Sequence, residues 1–286
     1  MWRRIELHNH TLESDGIMTA DQLVHCLHDQ GVSDFSLTDH NTISGWDKLK
    51  EPCRALGMHA LHGMEITSWY GHLLVQNLSA FPEWEDLRKD DADFLFQRIH
   101  EMGAICGPAH PCAIPTPFSS GMRWSMEIHD WNLPDFIEVI NYAHPMIPDN
   151  RDAIRLWKEK ILEGYRIAPV CGLDLHRPIE FSDAYQTWFD GEDTLPFGDS
   201  FQNAVKAGRV QVTKGPLLDW RENTFRLIQR DQETPYLLEG LSSSGRFQYE
   251  ISSDPILIEP PGFPAVLFLY RAHPILKDLC VIAARF

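Results

Sequence analysis

The chain has 286 residues, 43% of them hydrophobic and 23% charged, close to globular averages, which excludes general disorder, collagen and coiled coil. Its length suits one large domain, or one domain with a small appendix. The formal charge of -16 would repel a long polyanion over most of the surface, so the expected partner is a small molecule and no long nucleic acid; small anions remain admissible because a bound metal reverses the local sign of a site.

No run approaches the roughly 18 apolar residues of a membrane span, and Ile5 and Leu7 are interrupted by Glu6 and His8, so neither a membrane partner nor a signal peptide is expected. Six cysteines, Cys26, Cys53, Cys106, Cys112, Cys171 and Cys280, form no CxxC pair, which suits reduced thiols and a cytoplasmic location. The oligomeric state is not legible.

The first strand is expected over residues 4–10. Thr19 and Gln22 then offer a capping box, Leu23, Val24 and Leu27 follow at helical spacing, and Gly31 ends the helix. Strands are predicted at 35–38, 59–66, 72–78, 104–107, 136–141, 167–172 and 210–213, with helices at 46–56, 91–102, 151–163 and 201–207. About seven alternating units favour a TIM-like barrel over an open sheet in an α/β chain. After Gly215-Pro216 helical periodicity fades into β-rich runs at 246–251 and 265–270. The expected division is a barrel over residues 1–214 and a β-rich C-terminal appendix over 215–286, which either packs as a sandwich or extends the main domain.

His8 and His10 are two apart on a predicted strand, so both leave one face and can converge on one ion. Alone this pair is a weak signal. The other candidates stand where strand-helix units end: Asp15 after the first strand, Asp39 and His40 after the second, Glu65 near the end of a later one, His110 within Gly-Pro-Ala-His-Pro, and Asp174 and His176 again two apart. Five segments thus aim imidazoles and carboxylates at one rim, an arrangement that packing alone would leave costly.

In order and spacing, Glu6-Leu7-His8-Asn9-His10-Thr11, Ser14-Asp15-Gly16, Leu37-Thr38-Asp39-His40-Asn41, Gly63-Met64-Glu65, Ala109-His110-Pro111 and Gly172-Leu173-Asp174-Leu175-His176 resemble the PHP (polymerase and histidinol phosphatase) domain of metal-dependent phosphoesterases, an amidohydrolase-like family. The resemblance covers residue 1 to about 213. It implies a distorted seven-stranded βα barrel with two or three divalent ions: His8, His10, Glu65 and Asp174 around the first, Glu65 bridging to a second held by His110 and His72, and Asp15, His40 and His176 around a third. Leu173 stands where the last motif often has serine. Gly71-His72, residues 137–141 and residues 212–216 ahead of the tail resemble a branch that includes ester and carbamate hydrolases.

Imidazole with carboxylate suits Zn, Mn or Fe better than Ca or Mg. Three divalent ions against three carboxylates would leave a formally positive pocket in an acidic chain, suited to phosphate. Water between closely spaced ions becomes hydroxide near neutral pH and serves as nucleophile, so no protein nucleophile is required. The expected activity is phosphoester hydrolysis of a small phosphorylated metabolite or nucleotide, with a carboxylester, carbamate or amide hydrolase as the alternative on the same metals.

Asp39 is a candidate to orient a neighbouring histidine, with an N-cap role as the alternative. Asn141 and His144 are candidates for substrate contact or leaving-group protonation, against a plain loop role. Arg123 and Arg177 are candidates to clamp phosphate oxygens, against a solvated surface role. Phe118, Trp124 and Trp131 follow His110 in a Pro-rich stretch that is either a substrate-facing loop or a packed lid.

Overall fold

The computed structural model describes residues 1–84, 86–115, 121–142, 144–221, 224–231, 234–251, 256–257 and 262–286. The elements run β1 (Trp2–Glu6), α1 (Ala20–Asp29), β2 (Asp34–Leu37), α2 (Trp46–Leu56), β3 (His59–His62), β4 (Met64–Ser68), β5 (Gly71–Gln76), α3 (Ala92–Glu101), β6 (Ile105–Pro108), β7 (Phe136–Asn141), α4 (Pro148–Leu162), β8 (Ala168–Gly172), β9 (Gln186–Asp190), α5 (Phe197–Lys206) and β10 (Val210–Thr213). A β-rich stretch follows: β11 (Leu217–Arg221), β12 (Thr224–Ile228), β13 (Tyr236–Ser242), β14 (Gly245–Ile251), β15 (Ile256–Leu257), β16 (Ala265–Arg271) and β17 (Leu279–Arg285).

Local signals set the helices. Thr19 caps α1, its side chain accepting from the Gln22 backbone N–H while the Gln22 side chain accepts from the Thr19 N–H, and Leu23, Val24 and Leu27 point inward. In α2 the buried face is Trp46, Leu49 and Cys53, and Gly57 closes the helix in the left-handed region at φ 65°. These faces pack with Phe96 and Ile99 of α3 against Phe35, Ile66 and Val75 of the strands.

The described strands form no closed barrel. They fall into a nine-stranded sheet of order β14-β13-β16-β17-β10-β9-β1-β2-β3, two three-stranded sheets, β4-β5-β6 and β11-β12-β15, and the pair β7-β8. Only the β1–β2, β2–β3 and β7–β8 ladders are parallel. Two residues join β4 to β5, too few for a crossover, so they form an antiparallel hairpin. Strand β9 runs antiparallel to both β1 and β10. The chain is therefore a mixed α/β protein in which strand direction alternates too often for uniform βα closure.

The run expected as one strand over 59–66 is split at Gly63, where an added Cβ would lie 2.3 Å from Ser36 Oγ; the backbone turns against β2 there. Of the C-terminal strands, β13, β14, β16 and β17 continue the main sheet, since β17 pairs with β10 through Gln211 to Thr213. Cys53, Cys106, Cys171 and Cys280 are buried, and all six cysteines are free thiols. Among the described residues no helix is long and apolar enough to cross a membrane.

Candidate metal centre

Beyond β1 the chain stays extended. Asn9 bridges Leu175 in parallel register, the Leu175 N–H donating to His8 O and the His10 N–H to Leu175 O, each at 3.0 Å. Alternation then puts His8 and His10 on one face and Asp174 and His176 beside them, while Asn9 turns the other way to donate to Ser36 O at 2.8 Å. A second parallel bridge, His40 to Glu65, adds two more groups. His72 enters from β5, facing Thr67 in the hairpin, and His110 follows β6 at φ 28°. Asp174 also has positive φ, 50°, and strain of this kind gathers at functional sites.

Glu65 lies at the centre, fully buried. Its Oε1 faces His72 Nδ1 at 2.8 Å and His110 Nε2 at 3.2 Å, and its Oε2 faces His8 Nε2 at 3.0 Å, His10 Nε2 at 3.2 Å and His40 Nδ1 at 3.2 Å. Asp174 Oδ1 lies 3.1 Å from His10 Nε2 and 3.4 Å from His8 Nε2. Asp15, more exposed, reaches His176 Nε2 at 3.1 Å and His40 Nε2 at 3.6 Å. Potential ligand atoms of His8, His10, Glu65 and Asp174 all lie within 4.8 Å of one another, as do those of His10, Asp15, His40 and His176, and those of His40, Glu65 and His72.

This donor set fits divalent ions. Both His10 nitrogens and His72 Nε2 are buried without a hydrogen-bond partner among the described residues, although His10 Nε2 has carboxylate oxygens within 3.2 Å. Imidazole nitrogens and carboxylate oxygens gathered around a common point are what a shared cation requires. Carbonyls fix two tautomers: His110 Nδ1 donates to Met122 O at 2.9 Å and His176 Nδ1 to Asp174 O at 2.8 Å, leaving each Nε2 facing the cluster.

The charges are strongly coupled. Burial alone would raise the Glu65 carboxyl, but His8, with hydrogen bonds from His10, His110 and His72, holds it well below the ordinary range. Burial alone would lower the imidazoles; Asp174, Glu65 and Glu138 instead carry His8 well above its usual value, and Asp174 and Glu65 bring His10 to about 9. His110 also rises to about 9, against burial and chiefly through Glu65. His40 goes the other way, to about 4, because burial with His10 and His72 outweighs the pull of Glu65.

Sequence reasoning missed two buried glutamates behind the cluster. Glu138 accepts from His8 Nδ1 at 2.9 Å, from the His110 N–H at 2.7 Å and from Asn141 Nδ2 at 3.1 Å. Glu6 accepts from the His8 and Leu173 N–H groups, and burial lifts its carboxyl to about 8. The available signal was a lone glutamate within a buried strand, Phe136–Asn141 for Glu138, since charged residues are rarely fully buried unless paired. Glu138→Gln keeps the shape and removes the charge behind His8; metal affinity is expected to fall about 10- to 100-fold with the far-UV circular dichroism unchanged, as read by competition with a chromophoric chelator.

Other candidates lie less centrally. Asn141 touches the cluster, its Nδ2 3.4 Å from Asp174 Oδ2. His144 sits instead beside Tyr185, ring centroids 6.0 Å apart. Arg123 and Arg177 are exposed. Among the described residues Asp39 accepts from the Thr11 N–H and hydroxyl and the Ser14 hydroxyl, each at 2.7 Å, pinning the loop that presents Asp15. Trp124 stacks on Phe96, 6.0 Å between centroids, and Trp131 lies under Lys160, so both are packed. Phe118 lies outside the described residues.

A mixed α/β chain thus gathers six imidazoles and three carboxylates from separated segments into a candidate metal centre of the His/Asp/Glu type. Residues 6–110 match the model of the PHP domain family. It is 38% identical over 72 residues to the 5'-3' exoribonuclease of Haemophilus influenzae, covering 25% of this chain and 26% of that one. It is 34% identical over 70 residues to the 5'-3' exoribonuclease Rnm of Salmonella typhimurium, covering 23% and 24%. Each match spans about a quarter of the relative's length. A solved two-domain protein of Bacteroides vulgatus, described as containing a predicted PHP-like metal-dependent phosphoesterase, superposes with TM-score 0.64 at 16% identity over 100% of this chain and 95% of that one, showing a shared fold.

The expectation of no long nucleic acid partner is thereby corrected, because both similar relatives are named for acting on RNA. Net charge is a sum and misleads about local fields. Arg209, Arg226 and Arg285 line one cleft of about 670 Å³ together with Trp220 and Asp219, so cations outnumber anions there within an acidic chain.

Proposed function

We propose that this chain is a metal-dependent phosphoesterase that hydrolyses phosphodiester bonds of RNA, or phosphoesters of its nucleotide products. The observation that carries this reading is Glu65, whose two oxygens face different groups of imidazoles, as a carboxylate shared between two ions would. His8, His10, Glu65 and Asp174 would hold one ion, Glu65, His72 and His110 a second, and Asp15, His40 and His176 a third, with Zn, Mn or Fe matching the ligand chemistry. Bound there, such ions supply activation of water near neutral pH and neutralise charge on the phosphoryl oxygens. The chain's own groups position this centre: Glu138 orients His8, the Met122 carbonyl orients His110, and Asn141 braces Asp174. In this reading residues 1–214 are the catalytic portion and 215–286 prolong its sheet.

The test is a 5'-phosphorylated oligoribonucleotide labelled at its 3' end, incubated with Mn- or Zn-loaded protein. Nucleoside 5'-monophosphates released progressively from the 5' end are expected. No turnover of oligoribonucleotides or nucleotide phosphates, with metal confirmed bound, overturns the proposal; aryl ester turnover exceeding phosphoester turnover transfers the centre to carboxylester chemistry.

A further inference from the structure

Beside the metal cluster, at the turn between β4 and β5, an open cleft of about 850 Å³ is walled by Thr67, Trp69, Trp84, Asp86 and Arg88. We propose that it binds the nucleobase of the nucleotide whose phosphate lies at the metal centre, with Trp69 as the stacking platform; this rests on the nucleotide reading above.

Three observations carry it. Trp69 is 78% exposed, a large aromatic face held in water on a two-residue hairpin turn, where burying it elsewhere would have been favourable. Trp84 is half-buried and adds a second indole to the wall of the same cleft. The cleft also borders the cluster: Thr67 lines it, and the Thr67 hydroxyl contacts His40 Nδ1 at 2.5 Å.

Charge decides between a base and a second phosphate. The cleft holds one cation, Arg88, and one anion, Asp86, so it offers no net attraction for phosphate, whereas an uncharged aromatic ring with donors and acceptors on its edge suits both groups. Every base has a π-face, so stacking on Trp69 tolerates sequence.

The experiment measures calorimetric affinity of the metal-loaded protein for adenosine 5'-monophosphate and for ribose 5-phosphate, which differ by the base. Wild type is expected to prefer the adenosine compound by about tenfold or more, Trp69→Ala to lose that preference, and Trp69→Phe to keep most of it, with ribose 5-phosphate affinity unchanged throughout. Absence of a preference in wild type, or its survival in Trp69→Ala, overturns the assignment. If the oligoribonucleotide assay fails while this preference stands, the base site holds and the RNA-cleaving reading falls.

Discussion

Glu65→Gln is expected to purify as a folded protein with less than the full metal complement and activity reduced by about a thousandfold or more, the several kcal/mol that metal assistance contributes to such hydrolysis. The geometry explains the size of the effect. Glu65 is within 3.2 Å of five imidazole nitrogens, and the amide would place an NH2 group against lone pairs while removing a negative charge shared by the whole cluster. Elemental analysis and phosphoester turnover on the same preparation check the result. Unchanged activity at full metal content would remove Glu65 from the bridging position.

Metal binding is expected to release at least two protons at pH 7.5 and to become markedly weaker on acidification. Folded metal-free protein holds His10 and His110 protonated up to about 9 and His8 well above its ordinary value, and each must lose a proton before it can act as a ligand. The signs for the stripped protein follow from linkage. Imidazoles raised by folding contribute stability that is full below the ordinary imidazole value and is lost as pH rises through about 9. Glu65 and Asp174, held below the ordinary carboxyl range, contribute stability that is present above that range and is lost as pH falls. Stripped protein should therefore lose Tm between pH 8 and 10, and loaded protein should not, because ions take over the protons' place. Calorimetric titration of metal in two buffers of different ionisation enthalpy reads the proton count directly; identical apparent enthalpies would show that the ligands are already deprotonated.

Local devices were the most legible part of the chain. The Thr19–Gln22 capping box and the amphipathic face of α2 involve neighbours within a few residues, and both form as the pattern dictates. Sheet closure was not legible, because pairing partners are chosen over long range: β1 lies between β2 and β9, which is far away in sequence. Strand β9 was missed altogether, since Gln186–Asp190 is buried on both faces yet carries polar Gln186, Thr187 and Asp190, so neither alternation nor an apolar run marks it. All nine ligand candidates lie in or immediately around the cluster, where two-residue spacing on extended segments gave real directional information. Arg177 directly follows His176, and adjacency sends successive side chains to opposite faces; Arg123 is marked only by its place in the segment after His110. Glu138 stayed hidden for the converse reason: its partners His8 and His110 are 130 and 28 residues away.

The bridge between Asn9 and Leu175 joins positions 166 apart in the chain. A nascent polypeptide emerging from the ribosome therefore exposes His8 and His10 long before Asp174 and His176 exist, and translation passes through the whole family-matched span, residues 6–110, with the pocket still lacking one wall. In the proposed arrangement the first and third ions therefore await Asp174 and His176 at the far end of synthesis, whereas Glu65, His72 and His110 all emerge within that span.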